Sequence, residues 1–367
     1  MIAVLSDIHF GYERCTLNTT HARSAKNINV LCAELEKNKV SEIIFLGDIF
    51  ELQICDFATA FRESDSFFSA LGALSNLKLV TFVPGNHDHA LWNYHVVRKE
   101  IVSKLDSGTN AVPDEKFSFI RHRFGSAETF LKRLSVNPKV EVAVEYPFLM
   151  REVDGSRYLF LHGHFLDSTQ MLTYTLTTKL LPGKPTVGDI EQLEVYASQQ
   201  YLLLTNIAQT EYGRAGIRKR FNQLFGWFKE KGIYSDFAKL REHVQDYAGL
   251  WMTSGNPAFK MANYIIYGHT HLPGVEKINW VGTSHVATLN TGAWVDDKRE
   301  GSVVLIGHKN TAPILYEIKS GAANLTTHPD NNKRRIDLVK IAIEDASLTP
   351  GITRSIRDFL GGPGKSL

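Results

Sequence analysis

The chain has 367 residues, of which 43% are hydrophobic and 22% are charged, a composition typical of a globular protein. Its formal net charge is only +2, whereas a protein that holds nucleic acid through many phosphate contacts usually carries a strongly basic face. Nucleic acid is therefore the less favoured partner. No apolar run reaches the length of a membrane-spanning helix, roughly 18 residues or more.

The first residues predict a strand and not a secretion signal. Met1–Leu5 is apolar, but it has no basic leader and no cleavage site. The three cysteines, Cys15, Cys32 and Cys55, form no Cys-x-x-Cys pair, and reduced cysteines are typical of cytoplasmic proteins. We therefore expect a cytoplasmic location, with peripheral contact at the inner membrane face as an alternative.

Short apolar runs alternate with helical patterns along the chain. The runs that predict buried strands are Ile2–Leu5, Ile43–Leu46, Leu79–Val83, Tyr158–Leu161, Tyr264–Tyr267, Ser302–Ile306 and Ile314–Ile318. Apolar residues at helical spacing predict a helix over Ser24–Asn38. Asp154-Gly155 predicts a hairpin turn after one long β-rich run, Val140–Val153. The alternation indicates an α/β layered core.

The pattern changes between residues 165 and 262, where it is mostly helical. Loops of this length without structure are uncommon, so we interpret residues 165–262 as an inserted helical cap. The core then comprises residues 1–164 and 263–320, and residues 321–367 form a polar tail.

Polar clusters follow five of the predicted strands. They are Asp7-Ile8-His9, Gly47-Asp48, Gly85-Asn86-His87-Asp88, His162-Gly163-His164 and Gly268-His269-Thr270-His271. Each alone is a weak signal, because such residues also form helix caps and turns. Together they stand at the carboxyl ends of strands, where α/β folds place ligand sites.

These clusters contain the donor set of a two-metal site. The candidate ligands are Asp7, His9, Asp48, Asn86, His162, His269 and His271. Imidazole, carboxylate and amide oxygen suit divalent manganese, iron or zinc, and we favour two Mn²⁺ ions. Asp48 is the predicted bridge. Two ions about 3.5–4 Å apart would lower the pKa of a shared water and offset phosphoryl charge.

The ordered set of five motifs resembles the signature of the calcineurin-like metallophosphoesterases, from Asp7 to His271. The resemblance implies a four-layer sandwich of two mixed sheets flanked by helices. It implies hydrolysis of a phosphodiester or pyrophosphate bond by a metal-activated water. It assigns Asp7, His9, Asp48 and His271 to one ion, and Asp48, Asn86, His162 and His269 to the other.

The resemblance also makes His87 the general acid and Asp88 the carboxylate that orients it. Elementary chemistry agrees, because a leaving alkoxide needs a proton and a neighbouring carboxylate raises a histidine's pKa. His164 is left open between supporting the ligands and a structural role. His89 is interpreted as a solvated or hydrogen-bonded histidine.

The cap and the end of the core are similar to the bacterial UDP-diacylglucosamine hydrolases. Leu289–Trp294 followed by Gly301-Ser302 resembles the strand pair that closes their site. Those enzymes typically have Arg at the position of His87 and Asp at that of His164. The resemblance therefore implies a small nucleotide- or lipid-linked substrate without identifying it.

A basic run in the cap offers candidate substrate contacts. They are Arg214, Arg218 and Arg220, to which His164 is added. The run flanks an apolar stripe, so an amphipathic helix that packs on the core is the simplest interpretation. Binding of a substrate phosphate or acyl chain, and attachment to a membrane surface, are the alternatives.

Two other functions stay open at this point. Ser6–His9 and Gly85–Asp88 also resemble the repair exonucleases of the superfamily, although the low net charge speaks against a nuclease. A non-catalytic scaffold version of the fold would lack a ligand or the acid. Asp48, Asn86 and His87 are all present, so we expect an enzyme.

Overall fold

The computed structural model describes residues 1–108, 125–126, 137–164, 198, 201–210, 262–271, 273–279, 285–295, 301–307, 313–318 and 325–327. These residues form two mixed β-sheets with flanking helices. The predicted fold class, an α/β sandwich of two mixed sheets, is confirmed. None of the helices within these ranges has the length and apolar character needed to cross a bilayer.

The strands are β1 (Ile2–Leu5), β2 (Glu42–Leu46), β3 (Leu79–Val83), β4 (Gly125–Ser126), β5 (Glu141–Val144), β6 (Phe148–Val153), β7 (Ser156–Leu161), β8 (Tyr264–Tyr267), β9 (Gly274–Asn279), β10 (His285–Asn290), β11 (Gly301–Ile306), β12 (Ile314–Ile318) and β13 (Leu325–Thr327). The helices are α1 (Ser24–Lys37), α2 (Phe57–Gly72), α3 (His89–Val97), a π-helical turn (Arg98–Val102) and α4 (Ser103–Asp106). The first sheet has the order β13-β12-β11-β1-β2-β3-β5-β4, and the second β6-β7-β8-β10-β9.

The predicted strands are all present, with ends that differ by two residues at most. The hairpin is confirmed, because β6 and β7 pair antiparallel up to Val153 and Ser156, on either side of the Asp154-Gly155 turn. The β-rich run Val140–Val153 contains two strands. It divides into β5 of the first sheet and β6 of the second, and Pro147, which has no N–H to donate, stands between them.

The centre of the first sheet is buried on both faces. Val4, Ile44 and Phe160 belong to one apolar cluster, which joins the facing sides of the two sheets. Leu5 and Phe45, which point the other way along the same strands, pack into the cluster that contains residues of α1 and α2. Burial on both faces explains why these strands appear in the sequence as uninterrupted apolar runs.

The two sheets bring their polar strand ends to one edge. β1, β2 and β3 are parallel in the first sheet, and β7 and β8 are parallel in the second. The His269 backbone N–H donates to Asp7 Oδ2 at 2.9 Å, which links the two sheets there. The Asp7 N–H donates to Gly47 O at 3.1 Å, and the Gly268 N–H to His162 O at 2.9 Å. The motifs that follow the five strands therefore meet.

Part of the predicted insertion is described. Residues 201–208 are helical, and side chains of residues 201–210 contact the core. Gln209 Oε1 accepts the backbone N–H of Phe57 at 3.0 Å, and the Tyr94 hydroxyl donates to Asn206 Oδ1 at 3.3 Å. Most of the insertion, with Arg214, Arg218 and Arg220, lies outside the described residues. β13 lies in the segment predicted as tail, and it pairs with β12.

Candidate metal centre

Two groups of side chains lie side by side at this edge. One contains Asp7, His9 and His271, and the other contains Asp48, His162 and His269. Within each group the nitrogen and oxygen atoms that could bind a metal lie within 4.8 Å of one another. Asn86 joins the second group, because its Oδ1 lies 3.1 Å from His162 Nε2. All seven residues predicted as ligands are therefore brought together.

Asp48 belongs to the second group but also lies close to His9 of the first. Its Oδ2 is 3.2 Å from His162 Nε2 and 3.9 Å from His9 Nε2. Its Oδ1 accepts the backbone N–H of His87 at 2.8 Å, which fixes the orientation of the carboxylate. An aspartate whose oxygen lies within 4 Å of histidines of both groups has the position that a bridging ligand requires.

The backbone at the candidate ligands is left-handed, which non-glycine residues rarely adopt. The residues concerned are Asp7, His9, Asp48, His269 and His271, with φ between 51° and 66°. Each such conformation costs on the order of 1–3 kcal/mol, and such strain gathers at functional sites.

Glycines permit the close approach of these segments. A Cβ on Gly47, whose φ is +75°, would lie 2.6 Å from Gly85 Cα and 2.6 Å from His162 Nδ1. A Cβ on Gly268 would collide with the side chains of Asp7 and Ser6. Neither position therefore has room for a side chain, and the backbone conformation at Gly47 also favours glycine.

Asp7 is held by residues outside the predicted set. The Ser6 hydroxyl donates to Asp7 Oδ2 and also contacts Thr291 Oγ1 and the backbone oxygen of Gly292. Thr291 and Gly292 follow β10, so the loop after this strand helps to orient the first motif. The serine before an Asp-x-His motif was the available signal, but a lone serine has many uses.

Glu51 is the main residue that the sequence analysis missed. Its carboxylate contacts two histidines, with His9 Nδ1 at 2.9 Å from Oε2 and His87 Nδ1 at 2.7 Å from Oε1. It is 3% exposed, in a stretch of apolar residues after Asp48. A single acidic residue among apolar neighbours was the signal, because a buried carboxylate needs partners.

Asp88 was predicted to orient His87, but its contacts are with other groups. Its carboxylate accepts the backbone N–H groups of Gly85 and Ile49, each at 2.7 Å. It therefore fastens the start of α3 to the end of β2. The carboxylate that hydrogen-bonds His87 is Glu51, so the geometry favours Glu51 as the group that orients His87.

The acids and imidazoles of the cluster shift one another's pKa values. Burial alone would raise the pKa of Asp48, but the positive charges of His162 and His87 hold it well below its ordinary value. Burial would lower the pKa of His162, but the charge and hydrogen bond of Asp48, with the Asp7 charge and the Leu46 backbone oxygen, together outweigh it and raise this pKa to about 9. Divalent ions would supply the same positive charge, and binding them would displace such protons.

The His87–Glu51 pair has the same character. Burial opposes the charge of both groups, but their mutual attraction is larger. The pKa of Glu51 is lowered to about 2, and that of His87 is raised to about 10. The His87 side chain is 25% exposed. A protonated imidazole at the rim of the cluster can donate its proton to a bound group.

His164 lies behind the second group and is fully buried. Its ring centroid is 5.3 Å from that of His162 and 6.3 Å from that of His269. Burial, and then the charges of His162 and His269, hold its pKa well below the ordinary value. Its position beside two candidate ligands fits a supporting role better than substrate contact.

Comparison with known proteins identifies a family over most of the chain. The family described as calcineurin-like phosphoesterase matches residues 1–273, which include all five motifs. A solved dimetal phosphatase from Danio rerio is 12% identical, with 89% of this chain and 97% of that chain covered and a TM-score of 0.37. GAP50, the anchor in the inner membrane complex of Plasmodium, is 12% identical, with 94% and 93% covered and a TM-score of 0.35. No curated protein matches the chain.

The Glu51–His87 pair should stabilise the metal-free protein most between about pH 4.5 and 6.5. The contribution of Glu51, whose pKa falls from 4.5 to about 2 on folding, is complete above pH 4.5 and is lost toward pH 2. The contribution of His87, whose pKa rises from 6.5 to about 10, is complete below pH 6.5 and is lost toward pH 10. Urea unfolding of chelator-treated wild type and Glu51→Gln, across pH, measures the difference.

The difference in free energy of unfolding between the two proteins should peak in that window. His87→Gln serves as the matched variant, because it removes the same pair from the other side and should show the same profile. A difference that is flat with pH, or that is smallest between pH 4.5 and 6.5, would contradict the ion pair.

Proposed function

The chain belongs to the calcineurin-like phosphoesterase family and is a phosphoester hydrolase, and on this premise we propose its reaction. It hydrolyses a phosphodiester or pyrophosphate bond in a small nucleotide- or lipid-linked substrate, with the help of two divalent ions. The observation that carries the proposal is the position of Asp48 between two groups of candidate ligands, 3.2 Å from His162 and 3.9 Å from His9.

The residues present fit two ions. Asp7, His9 and His271 would hold the first and Asn86, His162 and His269 the second, with Asp48 shared between them. Imidazoles and oxygen ligands together suit Mn²⁺, with iron or zinc as alternatives of similar chemistry. When bound, the ions would withdraw charge from the phosphoryl group and make a water acidic enough to attack it.

His87 would donate the proton that the leaving oxygen needs. Glu51 holds the His87 Nδ1 side of the ring at 2.7 Å, which leaves Nε2 to face the substrate. The same carboxylate receives His9 Nδ1 and so directs His9 Nε2 toward Asp7 and Asp48. Glu51 thus fixes the orientation of a ligand and of the acid at once.

The insertion would recognise the part of the substrate that does not react, because the metal centre itself contacts only a phosphoryl group. It leaves the core directly after His162 and His164 and returns before His269, so both of its ends are fixed beside the candidate ligands. The arginines Arg214, Arg218 and Arg220 are the proposed contacts to a second phosphate. The similarity to UDP-diacylglucosamine hydrolases agrees with such a substrate.

The first test removes the proposed bridge. Wild-type protein should bind two Mn²⁺ ions per chain, and Asp48→Ala should bind neither, because both groups lose a shared ligand. Metal analysis after equilibrium dialysis measures the stoichiometry. Asp65→Ala, an exposed aspartate on α2, is the control and should keep two ions. One ion per wild-type chain at saturating Mn²⁺ would refute the dinuclear site.

The second test concerns the acid. His87→Ala should keep both ions and should slow cleavage of a phenyl phosphodiester by roughly 10²–10⁴-fold, the usual contribution of a general acid. For a nitrophenyl phosphodiester, whose leaving group departs without a proton, the loss should be much smaller. Steady-state kinetics on the two substrates measure the ratio. Equal losses on both would show that His87 has another task.

The third test separates recognition from chemistry. Replacing Arg214, Arg218 and Arg220 together by alanine should depress cleavage of a nucleoside-diphosphate conjugate far more than cleavage of a nitrophenyl phosphodiester. A triple alanine variant of the exposed Lys26, Lys37 and Lys139 controls for the loss of net charge. If both activities of the arginine variant fell equally, the basic run would be structural.

A further inference from the structure

A buried contact joins the insertion to the turn that carries His87. His89 is the first residue of α3, two positions after His87, and it is fully buried. Its Nε2 lies 2.7 Å from the Oγ of Ser198, which belongs to the insertion and is 1% exposed. The ring of Tyr201, three positions further along the chain, contacts the His89 ring with centroids 5.3 Å apart.

The direction of this hydrogen bond follows from its neighbours. The Ser198 hydroxyl donates to Asn93 Oδ1 at 3.3 Å, so its oxygen is available to accept. Burial lowers the pKa of His89 to about 3, so the ring is neutral and carries one N–H. That N–H is on Nε2 and donates to Ser198, while Nδ1 has no hydrogen-bond partner among the described residues. Ser198 is thus the polar anchor of the ring.

The same part of the insertion also holds the segment that follows Glu51. Gln209 Oε1 accepts the Phe57 N–H at 3.0 Å, and Gln209 Nε2 donates to Cys55 O at 3.4 Å. The segment between Glu51 and Phe57 also contains Gln53, whose Nε2 donates to the Asn86 backbone oxygen at 2.6 Å. The loops of Glu51 and of His87 are therefore joined to each other and to one stretch of the insertion.

We propose that Ser198 and Gln209 are positioning residues, through which the insertion sets the distance and angle between Glu51 and His87. The core holds the turn from one side, where Asp48 receives the His87 N–H and Asp88 receives that of Gly85. Ser198 holds it from the other side, at the start of α3. The inference rests on the proposed function, because it presumes that His87 donates a proton.

Ser198→Ala should reduce kcat on a phenyl phosphodiester by about tenfold to a hundredfold, with KM little changed. A displacement of the acid by about 1 Å is enough for a loss of this size. The loss on a nitrophenyl phosphodiester should be several times smaller, because that leaving group needs no proton. Manganese content should stay at the wild-type value, since Ser198 and Gln209 contact no candidate ligand side chain among the described residues.

A double-mutant cycle shows whether Ser198 acts through His87. In a His87→Ala background, Ser198→Ala should cause no further loss on the phenyl ester, because the acid that it positions is gone. Gln209→Ala should behave in the same way, and it keeps the proposal testable if Ser198→Ala folds poorly. Asn206→Ala is the matched control, because it removes an exposed contact of the same helix to Tyr94 on α3 and should leave the kinetics unchanged.

Hydrogen exchange supplies a readout that does not depend on activity. In metal-free protein, Ser198→Ala should speed exchange in the peptide that covers residues 85–95, and Asn206→Ala should not. Additive losses in the cycle, or equal losses on both esters, would overturn the positioning role. If wild-type protein bound two ions but cleaved neither ester, the proposed function would be refuted. The hydrogen-exchange result would still test whether Ser198 holds the turn that carries His87.

Discussion

The structure depends on burying several carboxylates at one place. Asp7, Asp48, Glu51 and Asp88 are each at most 3% exposed, and a buried carboxylate stays charged only beside positive charge or N–H donors. Each acid meets this need differently. Asp88 receives two backbone N–H groups, which meet this need only in part, because burial and the Asp48 charge raise its pKa to about 7. Glu51 receives two imidazoles. Asp7 and Asp48 lie beside histidines, which would bind a metal as neutral imidazoles. A chain built only for stability would replace such groups with apolar residues.

The strained backbone at the candidate ligands also lowers the stability of the fold. Left-handed residues follow strands of both sheets, Asp7 and Asp48 after strands of the first and His269 after a strand of the second. Such conformations persist only where the surrounding structure fixes them. That structure is the apolar layer between the sheets. The stability that this layer contributes offsets the strain at the candidate ligands.

The sequence predicts those features that are local or repeated. Strands buried on both faces are apolar throughout, so their ends and the polar residues after them are visible in the sequence. The division of Val140–Val153 between two sheets depends on tertiary pairing, which no local pattern records. Glu51 has no motif of its own, and the residues that contact it become its neighbours only when β1, β2 and β3 lie side by side. Ser198 is 109 positions from His89, so only the fold reveals their contact.

The insertion therefore has a closer relation to the chemistry than its place in the chain suggests. An insertion between His164 and β8 can vary without disturbing the sheets, which makes it a natural place for recognition. Two residues of the insertion, Gln209 and Ser198, also contact Phe57 and His89, which follow the loops that carry Glu51 and His87. Substrate contacts made elsewhere in the insertion would then act on the geometry of His87, so that binding energy favours the transition state as well as the complex. In the proposed arrangement, specificity and turnover would be set by one element.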